Sequence, residues 1–278
     1  MEVLLGAVGG QRLGVKACDP LGRPITAEYA MFEGGVALIE MARTCGLDLL
    51  EQAERNPWVA GTRGLGIVVR AALDEGITDI CLTLGGSATV DGGAGMAREL
   101  GFRFLDRYGR ALEYEGGRIL SKVTRIDPGG ADSRLANARI RALCDVTNPL
   151  PGPRGAARVF GPQKGADSAM GERLDLGLGR LARCFERDLG RRVAETPGAG
   201  AAGGMGAAVL AFFGGELISG IDYVLEATGF DTALKEADLL VTGEGSFDSQ
   251  SLGGKVISGL LARAGASGIP VDVVCGRA

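Results

Sequence analysis

The sequence predicts an α/β fold built on a largely parallel, Rossmann-like sheet. Two observations predict it: short apolar runs alternate with segments of helical periodicity, and glycine-rich turns follow the apolar runs. The predicted strands are residues 77–84, 140–144, 237–242 and 271–275. The predicted helices are residues 64–75, 95–100, 166–190 and 207–213. A chain of 278 residues is enough for one large α/β domain or for two lobes.

The N-terminal part favours short strands joined by turns. The sequence D-P-L-G-R-P at residues 19–24 predicts a turn between β-like runs at residues 13–17 and 25–30. The helix predicted at residues 64–75 carries its apolar side chains on one face, and these are Ile67, Val68, Ala71 and Ala72. It leads into the apolar strand at residues 77–84.

The later elements follow from the same two periodicities. Leu174, Leu178 and Leu181 lie at near-helical spacing and predict the long helix over residues 166–190. The strand at residues 140–144 ends at an aspartate, and the strand at 237–242 ends in a glycine-flanked acidic turn. Ligands of such sheets bind beyond the carboxyl ends of the strands, so we expect the function to lie in these loops.

The composition excludes several classes of function. The chain has no histidine, which excludes serine–histidine hydrolysis, histidine base catalysis and imidazole metal ligation. A net charge of −4 and 5% aromatic residues argue against a nucleic-acid partner. The chain has no apolar run long enough to cross a membrane, and no signal peptide opens it. Six widely spaced cysteines without a C-x-x-C pair predict buried, reduced thiols in a cytoplasmic protein.

The most informative segment is G-G-S-A-T-V-D-G-G-A-G at residues 85–95, here called the glycine loop. It follows a predicted buried strand and precedes a predicted helix, and this is how a backbone-lined phosphate site is built. Asp91 would repel a phosphate unless a metal ion or a substrate hydroxyl lies between them. The loop therefore indicates phosphoryl transfer. Its candidate phosphate ligands are Gly85, Gly86, Ser87 and Thr89.

Two further loops carry candidate site residues. In D-V-T-N-P-L at residues 145–150, Asp145 and Asn148 either hold magnesium or a substrate hydroxyl, or bond their own backbone in a turn. In G-P-Q-K-G at residues 161–165, Lys164 either neutralises a phosphate or carboxylate, or is an ordinary solvated surface lysine.

The sequence G-A-G-A-A-G at residues 198–203 matches the letters of a dinucleotide fingerprint, but its context does not. A polar, proline-ended segment precedes it where a buried strand is required. We therefore predict a tight loop that leads into the helix at residues 207–213. A nicotinamide-dependent oxidoreductase using this loop is the weakest of the alternatives.

The last candidate loop is G-E-G-S-F-D at residues 243–248, with Lys255 shortly after it. Glu244 and Asp248, flanked by glycines at a strand end, suit metal binding or hydroxyl activation. Asp248 could instead cap a helix that begins near Ser249. Lys255 does not complete a P-loop, because Val256 stands where serine or threonine is required.

Together these loops resemble the bacterial type-I glycerate kinase family. The matching stretches are residues 85–95, 145–150, 160–166, 197–206 and 242–255, and the resemblance covers residues 1–278. It implies transfer of the γ-phosphoryl group of ATP to D-glycerate with Mg²⁺. It also implies two α/β lobes, a sheet lobe and a second mixed lobe, with the active site between them.

The resemblance supplies a hypothesis for the role of each candidate. Asp91 would orient the glycerate hydroxyl, and Asp145 and Asp248 would hold magnesium. Lys164 and Lys255 would neutralise phosphate or the substrate carboxylate, because phosphoryl transfer depends mainly on positioning and charge neutralisation. The remaining candidates are Glu244 as a catalytic acid and Gly85, Gly86, Ser87, Thr89 and Asn148 as substrate or phosphate ligands.

The chain departs from the family pattern in two ways. Val90 stands where the family more often has a polar residue. The D-S-F-K-G and D-G-G-E-G-T motifs that open the family are absent, so we expect a fragment that is incomplete at both termini. The alternative to a kinase is accordingly an inactive remnant that still binds phosphate or nucleotide.

Overall fold

The computed structural model describes residues 1–244 and 255–276 and divides the chain into two compact units. The first unit comprises Met1 and Gly9–Leu217, and the second comprises Glu2–Val8 and Ile218–Ala278. Both units mix helices with strands, which confirms the predicted α/β class.

The described residues form ten strands and ten α-helices. The strands are β1 (Gln11–Cys18), β2 (Pro24–Phe32), β3 (Val36–Glu40), β4 (Asp79–Thr83), β5 (Arg103–Leu105), β6 (Arg125–Asp127), β7 (Arg139–Leu143), β8 (Glu216–Ile218), β9 (Leu240–Glu244) and β10 (Val271–Cys275). The helices are α1 (Glu2–Val8), α2 (Ala42–Cys45), α3 (Arg63–Asp74), α4 (Ala94–Glu99), α5 (Ala156–Phe160), α6 (Ser168–Leu189), α7 (Ala201–Phe212), α8 (Gly220–Ala227), α9 (Phe230–Lys235) and α10 (Lys255–Ser267).

The first unit is organised around a six-stranded sheet in the order β1-β2-β3-β4-β7-β8. Strands β1, β2 and β3 pair antiparallel, whereas β3, β4 and β7 run parallel to one another. The parallel centre is buried, and Leu38, Ile80 and Leu82 are inaccessible to solvent. Such burial is expected of parallel strands, whose faces are covered by helices.

The N-terminal hairpin confirms the turn predicted at residues 19–24. Asp19 is buried, and its carboxylate accepts hydrogen bonds from the backbone N–H groups of Leu21 and Arg23, both at 2.9 Å. An aspartate that bonds the backbone two and four residues ahead closes this kind of turn. The Asp19 side chain therefore helps to close the turn that joins β1 to β2.

Helix α6 matches the predicted long helix closely. Its apolar stripe of Leu174, Leu178 and Leu181 is fully buried. Asp167 caps the N-terminus by accepting a hydrogen bond from the N–H of Met170, and Gly190 ends the helix at a φ of 68°. Both ends are therefore set by residues that commonly start and stop helices.

Helix α7 differs from the prediction at its start. Ala202, Gly203 and Gly204 have φ values of 51°, 71° and 97°, so the regular helix begins only after them. Glycine adopts this left-handed conformation without strain, whereas Ala202 is the one residue other than glycine with a positive φ among those described. The left-handed run explains why the glycine-rich stretch precedes, rather than forms, the predicted helix at residues 207–213.

The second unit contains α1, α8, α9, α10 and a two-stranded parallel sheet of β9 and β10. Strand β9 pairs with β10 from Leu240, later than the sequence predicted, because Leu240 is the first residue in register with Val271. Arg263 on α10 forms ion pairs with Asp222 and Asp231, and so ties α10 to α8 and α9.

Four of the six cysteines are buried, as the sequence predicted, and these are Cys18, Cys45, Cys81 and Cys184. Among the described residues, no helix has the length and hydrophobicity needed to cross a membrane.

The short strands β5 and β6, which form a separate antiparallel pair, were not predicted because three-residue strands carry too little periodicity.

Candidate active site

Parallel strands β3, β4 and β7 end together at one edge of the sheet, here called the carboxyl edge. Glu40, Thr83 and Leu143 are their last residues and lie in register across the three strands. The glycine loop starts two residues after Thr83, and Asp145 lies two residues after Leu143. Two of the predicted site segments therefore leave the sheet side by side.

The glycine loop is fixed by the segment that follows β3. The N–H of Leu47 donates to the Gly86 carbonyl at 2.8 Å, and the N–H of Ala88 donates to the Cys45 carbonyl at 2.7 Å. Gly86 has a φ of 72°, which glycine accepts without strain. Gly85 and Gly86 are exposed while the residues after them are buried, so the loop presents its glycines to solvent.

Asp91 lies beneath the loop and is only 1% exposed. Its carboxylate accepts hydrogen bonds from the N–H and hydroxyl of Thr62, at 3.0 and 2.7 Å, and from the N–H groups of Gly93 and Gly95. Burial raises the pKa of this carboxyl, and the hydrogen bonds from Thr62 and the glycines oppose the rise. The side chain ties the loop to the start of α3, so this geometry does not present it to a substrate.

Lys164 is also buried, at 1% exposure, which rules out the solvated surface lysine. Its ammonium donates to the Ser87 hydroxyl and to the Thr89 carbonyl, both at 2.8 Å. Desolvation lowers the pKa of this ammonium to about 7, and the negative charge of Asp91 opposes the shift. Sequence alone left open whether Lys164 is a surface lysine or a site residue. The structure places its ammonium against the inner side of the glycine loop.

The segment at residues 198–206 packs directly on the glycine loop. The N–H of Gly92 donates to the Gly203 carbonyl at 3.0 Å. A Cβ atom at Gly203 would lie 2.0 Å from the Thr89 carbonyl oxygen, so only glycine fits there. The fingerprint-like glycines therefore serve close backbone packing, which agrees with the prediction of a tight loop.

The loop after β7 contacts the segment at residues 198–206. The N–H of Gly200 donates to the Asn148 carbonyl at 2.9 Å, while the Asn148 side chain donates to the Arg154 carbonyl at 2.8 Å. The Asn148 side chain therefore bonds the backbone beyond the predicted turn, and Asp145 is exposed at the strand end. Four predicted segments thus meet in the first unit: residues 85–95, 145–150, 160–166 and 197–206.

Comparison with known proteins decides the family. A family model described as the glycerate kinase family matches residues 1–278. The chain belongs to the glycerate kinase family. This confirms the resemblance inferred from the sequence, together with the enzyme class, a transferase that phosphorylates an alcohol group of glycerate.

Relatives and a solved structure agree with this membership. The chain is 43% identical over 277 residues to a glycerate kinase of Halalkalibacterium halodurans, covering 99% of this chain and 73% of the relative. It is 44% identical over 261 residues to a glycerate 2-kinase of Escherichia coli, covering 94% and 68%. A crystal structure assigned to glycerate kinase 2 of Salmonella typhimurium LT2 matches with a TM-score of 0.90 and 43% identity, covering 99% and 74%.

Val90 was noted above as a departure from the family pattern, and the structure shows where it lies. It is fully buried and belongs to the hydrophobic core of the first unit. In this chain, position 90 therefore contributes apolar packing beneath the loop.

The structure does not describe the side chains of three candidate residues from the family motif at residues 242–255. Glu244 is the last residue of β9 and Lys255 the first residue of α10, and neither side chain is among those described. Asp248 lies outside the described residues. Their predicted roles therefore stay predictions.

Sequence analysis missed Glu40 and Thr62. Glu40 ends β3 at the carboxyl edge, where its carboxylate accepts from the Met1 ammonium at 2.6 Å and from Arg43 at 3.1 Å. Burial acts to raise the pKa of Glu40, but these two hydrogen bonds lower it overall. An acidic residue that ends an apolar run was the available signal for Glu40, whereas nothing local marked Thr62 as a partner of Asp91.

The described residues limit which groups could hold magnesium. They contain no cluster of three or more acidic or thiol side chains that could enclose a metal ion. Magnesium in kinases is usually held by one or two carboxylates together with substrate phosphates and water. The exposed Asp145 beside the glycine loop fits that donor set, because magnesium bound in this way needs only one or two protein carboxylates.

Proposed function

We propose that the protein transfers the γ-phosphoryl group of ATP to a hydroxyl of D-glycerate at the carboxyl edge. The observation that carries the proposal is that four family segments, the glycine loop among them, are joined by hydrogen bonds, with Lys164 buried behind the loop. Family membership supports the substrate and the reaction. The arrangement also follows the general rule that ligands of parallel sheets bind beyond the carboxyl ends of the strands.

The glycine loop would bind the phosphates. Gly85 and Gly86 are exposed and carry no side chain, so a phosphate can approach their backbone closely. Lys164 would supply a positive charge at low dielectric, where it stabilises developing negative charge more strongly than in water. Ser87 and Thr89 would add hydroxyl donors.

Asp145 and Asn148 would serve the metal ion and the loop that presents it. Asp145 would hold Mg²⁺, which when bound neutralises phosphate charge, and Asn148 would keep the loop after β7 in place. Glu244, Asp248 and Lys255 of the second unit belong to the proposal on the family resemblance alone. For Asp91 we propose a positioning role, because four hydrogen bonds already occupy its carboxylate.

The test is glycerate-dependent release of ADP from ATP by the purified chain, with the product identified by ³¹P NMR. Lys164→Met is expected to lower turnover about a hundred- to a thousandfold, the usual loss when one charge-stabilising donor is removed. Methionine keeps the length of the side chain and removes a buried charge, so the fold is expected to persist. Lys122→Met, at an exposed lysine, is the matched control and should leave turnover unchanged.

Two outcomes would count against the proposal. Absence of glycerate-dependent turnover in a folded chain that still binds ATP would identify the inactive remnant. Equal turnover by Lys164→Met and Lys122→Met would show that the glycine loop is not part of the active site.

A further inference from the structure

Lys164, Ser87 and Thr89 form a buried group that we call the lysine–hydroxyl cluster. The Lys164 amine bonds the Ser87 hydroxyl and the Thr89 carbonyl, each at 2.8 Å. All three residues are at most 5% exposed, although Ser87 directly follows the exposed Gly86. The cluster therefore connects a solvent-facing loop to an interior cation.

The hydroxyl groups of the cluster have unused hydrogen-bonding capacity. Among the described residues, the Ser87 hydroxyl has no hydrogen bond except the one it accepts from Lys164, so its own proton has no acceptor. The Thr89 hydroxyl is fully buried and has no partner in the same part of the chain. Buried polar groups are nearly always paired, so two unused donors beside a cation fit an anionic ligand.

The direction of the Lys164–Ser87 hydrogen bond depends on the charge of the amine. A charged ammonium has three donors and no acceptor, so Ser87 must accept and its proton stays available for a ligand. A neutral amine carries a lone pair and can accept the serine proton instead. In that state Ser87 can no longer donate to a phosphate.

Both charge states are accessible near neutral pH. Desolvation lowers the pKa of Lys164 to about 7, and the negative charge of Asp91 opposes the shift. Burial raises the pKa of Cys45 to about 12, so this thiol is neutral there. The Arg55 carbonyl packs against Gly165, the residue after Lys164.

We propose that Lys164 controls the hydrogen-bond direction of Ser87, so that the glycine loop binds phosphate-like anions strongly only while Lys164 carries its proton. The inference rests on the proposed function, because it takes the glycine loop as the phosphate site. It adds a proton switch to that site: a single proton on a residue behind the loop changes the donor set in front of it.

Sulfate affinity as a function of pH tests the switch, because sulfate remains a dianion throughout the neutral range. The dissociation constant of the intact chain is measured by calorimetry from about pH 6 to about pH 9. We expect the affinity to fall about tenfold across this range, the effect of one lost hydrogen-bond donor to an anion. The midpoint should lie near the pKa of Lys164.

Two variants separate the switch from a simple loss of charge. Ser87→Ala removes the hydroxyl whose hydrogen bond with Lys164 changes direction. This variant should therefore bind sulfate weakly, with little dependence on pH. Thr89→Val keeps the shape of the side chain and the Lys164–Ser87 pair, so it should bind more weakly but retain the pH dependence. Circular dichroism confirms the fold of each variant at each pH.

The outcomes distinguish this inference from the proposed function. Sulfate binding that is independent of pH in the wild type, or a full pH dependence in Ser87→Ala, overturns the switch even if glycerate-dependent ADP release is normal. If both sulfate binding and ADP release are missing, the proposed function fails and the switch fails with it.

Discussion

Gly203→Ala is expected to destabilise the first unit by about 3 to 5 kcal/mol, at the upper end of single-residue effects. A Cβ atom there would lie 2.0 Å from the Thr89 carbonyl oxygen and 2.8 Å from the Thr89 carbonyl carbon. These are backbone atoms, so neither can move away without displacing the glycine loop. The measurement is the free energy of unfolding from urea titration followed by circular dichroism.

Gly190→Ala is the matched control for Gly203→Ala. Gly190 has a φ of 68°, close to the 71° of Gly203, but a Cβ atom there would meet nothing within 4 Å. It should therefore lose only about 1 to 2 kcal/mol, the strain of a left-handed alanine. Equal losses at the two positions would mean that backbone strain, and not packing on the loop, explains the glycine-rich segment.

Asp91→Asn is expected to abolish kinase turnover and to destabilise the first unit by about 2 to 3 kcal/mol, since hydrogen bonds to a charged group are among the stronger ones. An asparagine amide would face at least one of the N–H donors that now point at the carboxylate. Turnover and unfolding free energy are measured on the same preparation. Activity lost without any loss of stability would instead favour direct contact between Asp91 and glycerate.

Thr62→Val supplies the second half of the Asp91 experiment. Thr62 donates its hydroxyl to Asp91 at 2.7 Å and accepts from the N–H of Met96 at 2.9 Å. If Asp91 acts by positioning the loop, Thr62→Val should reproduce part of the Asp91→Asn effect, and the two should be non-additive in a double-mutant cycle. Additive effects would contradict a shared role.

Periodicity and strand-end glycines were enough to predict several strands and the segments proposed for the site. The strand predicted at residues 140–144 is observed as β7, and the one at residues 271–275 as β10. The glycine loop, the Asp145 loop and the Lys164 turn were all identified from local composition. Local patterns carry this information because they set backbone conformation directly.

The partners of the buried charges could not be predicted in the same way. Lys164 bonds Ser87, which is 77 residues away along the chain, and Asp91 bonds Thr62, which is 29 residues away. Nothing in the flanking glycines of Lys164 distinguishes a buried ammonium from a solvated one. The left-handed run at Ala202 was missed for a related reason, since it is stabilised by packing against the glycine loop.

The central claim is that four separated segments form one phosphate-binding site. Hydrogen–deuterium exchange of the intact chain, with and without a non-hydrolysable ATP analogue plus glycerate, tests it most directly. We expect slower exchange in the glycine loop and in at least one of the segments at residues 145–150, 160–166 and 197–206. Saturating ligand that protects amides elsewhere in the chain, while all four segments exchange as before, would contradict it.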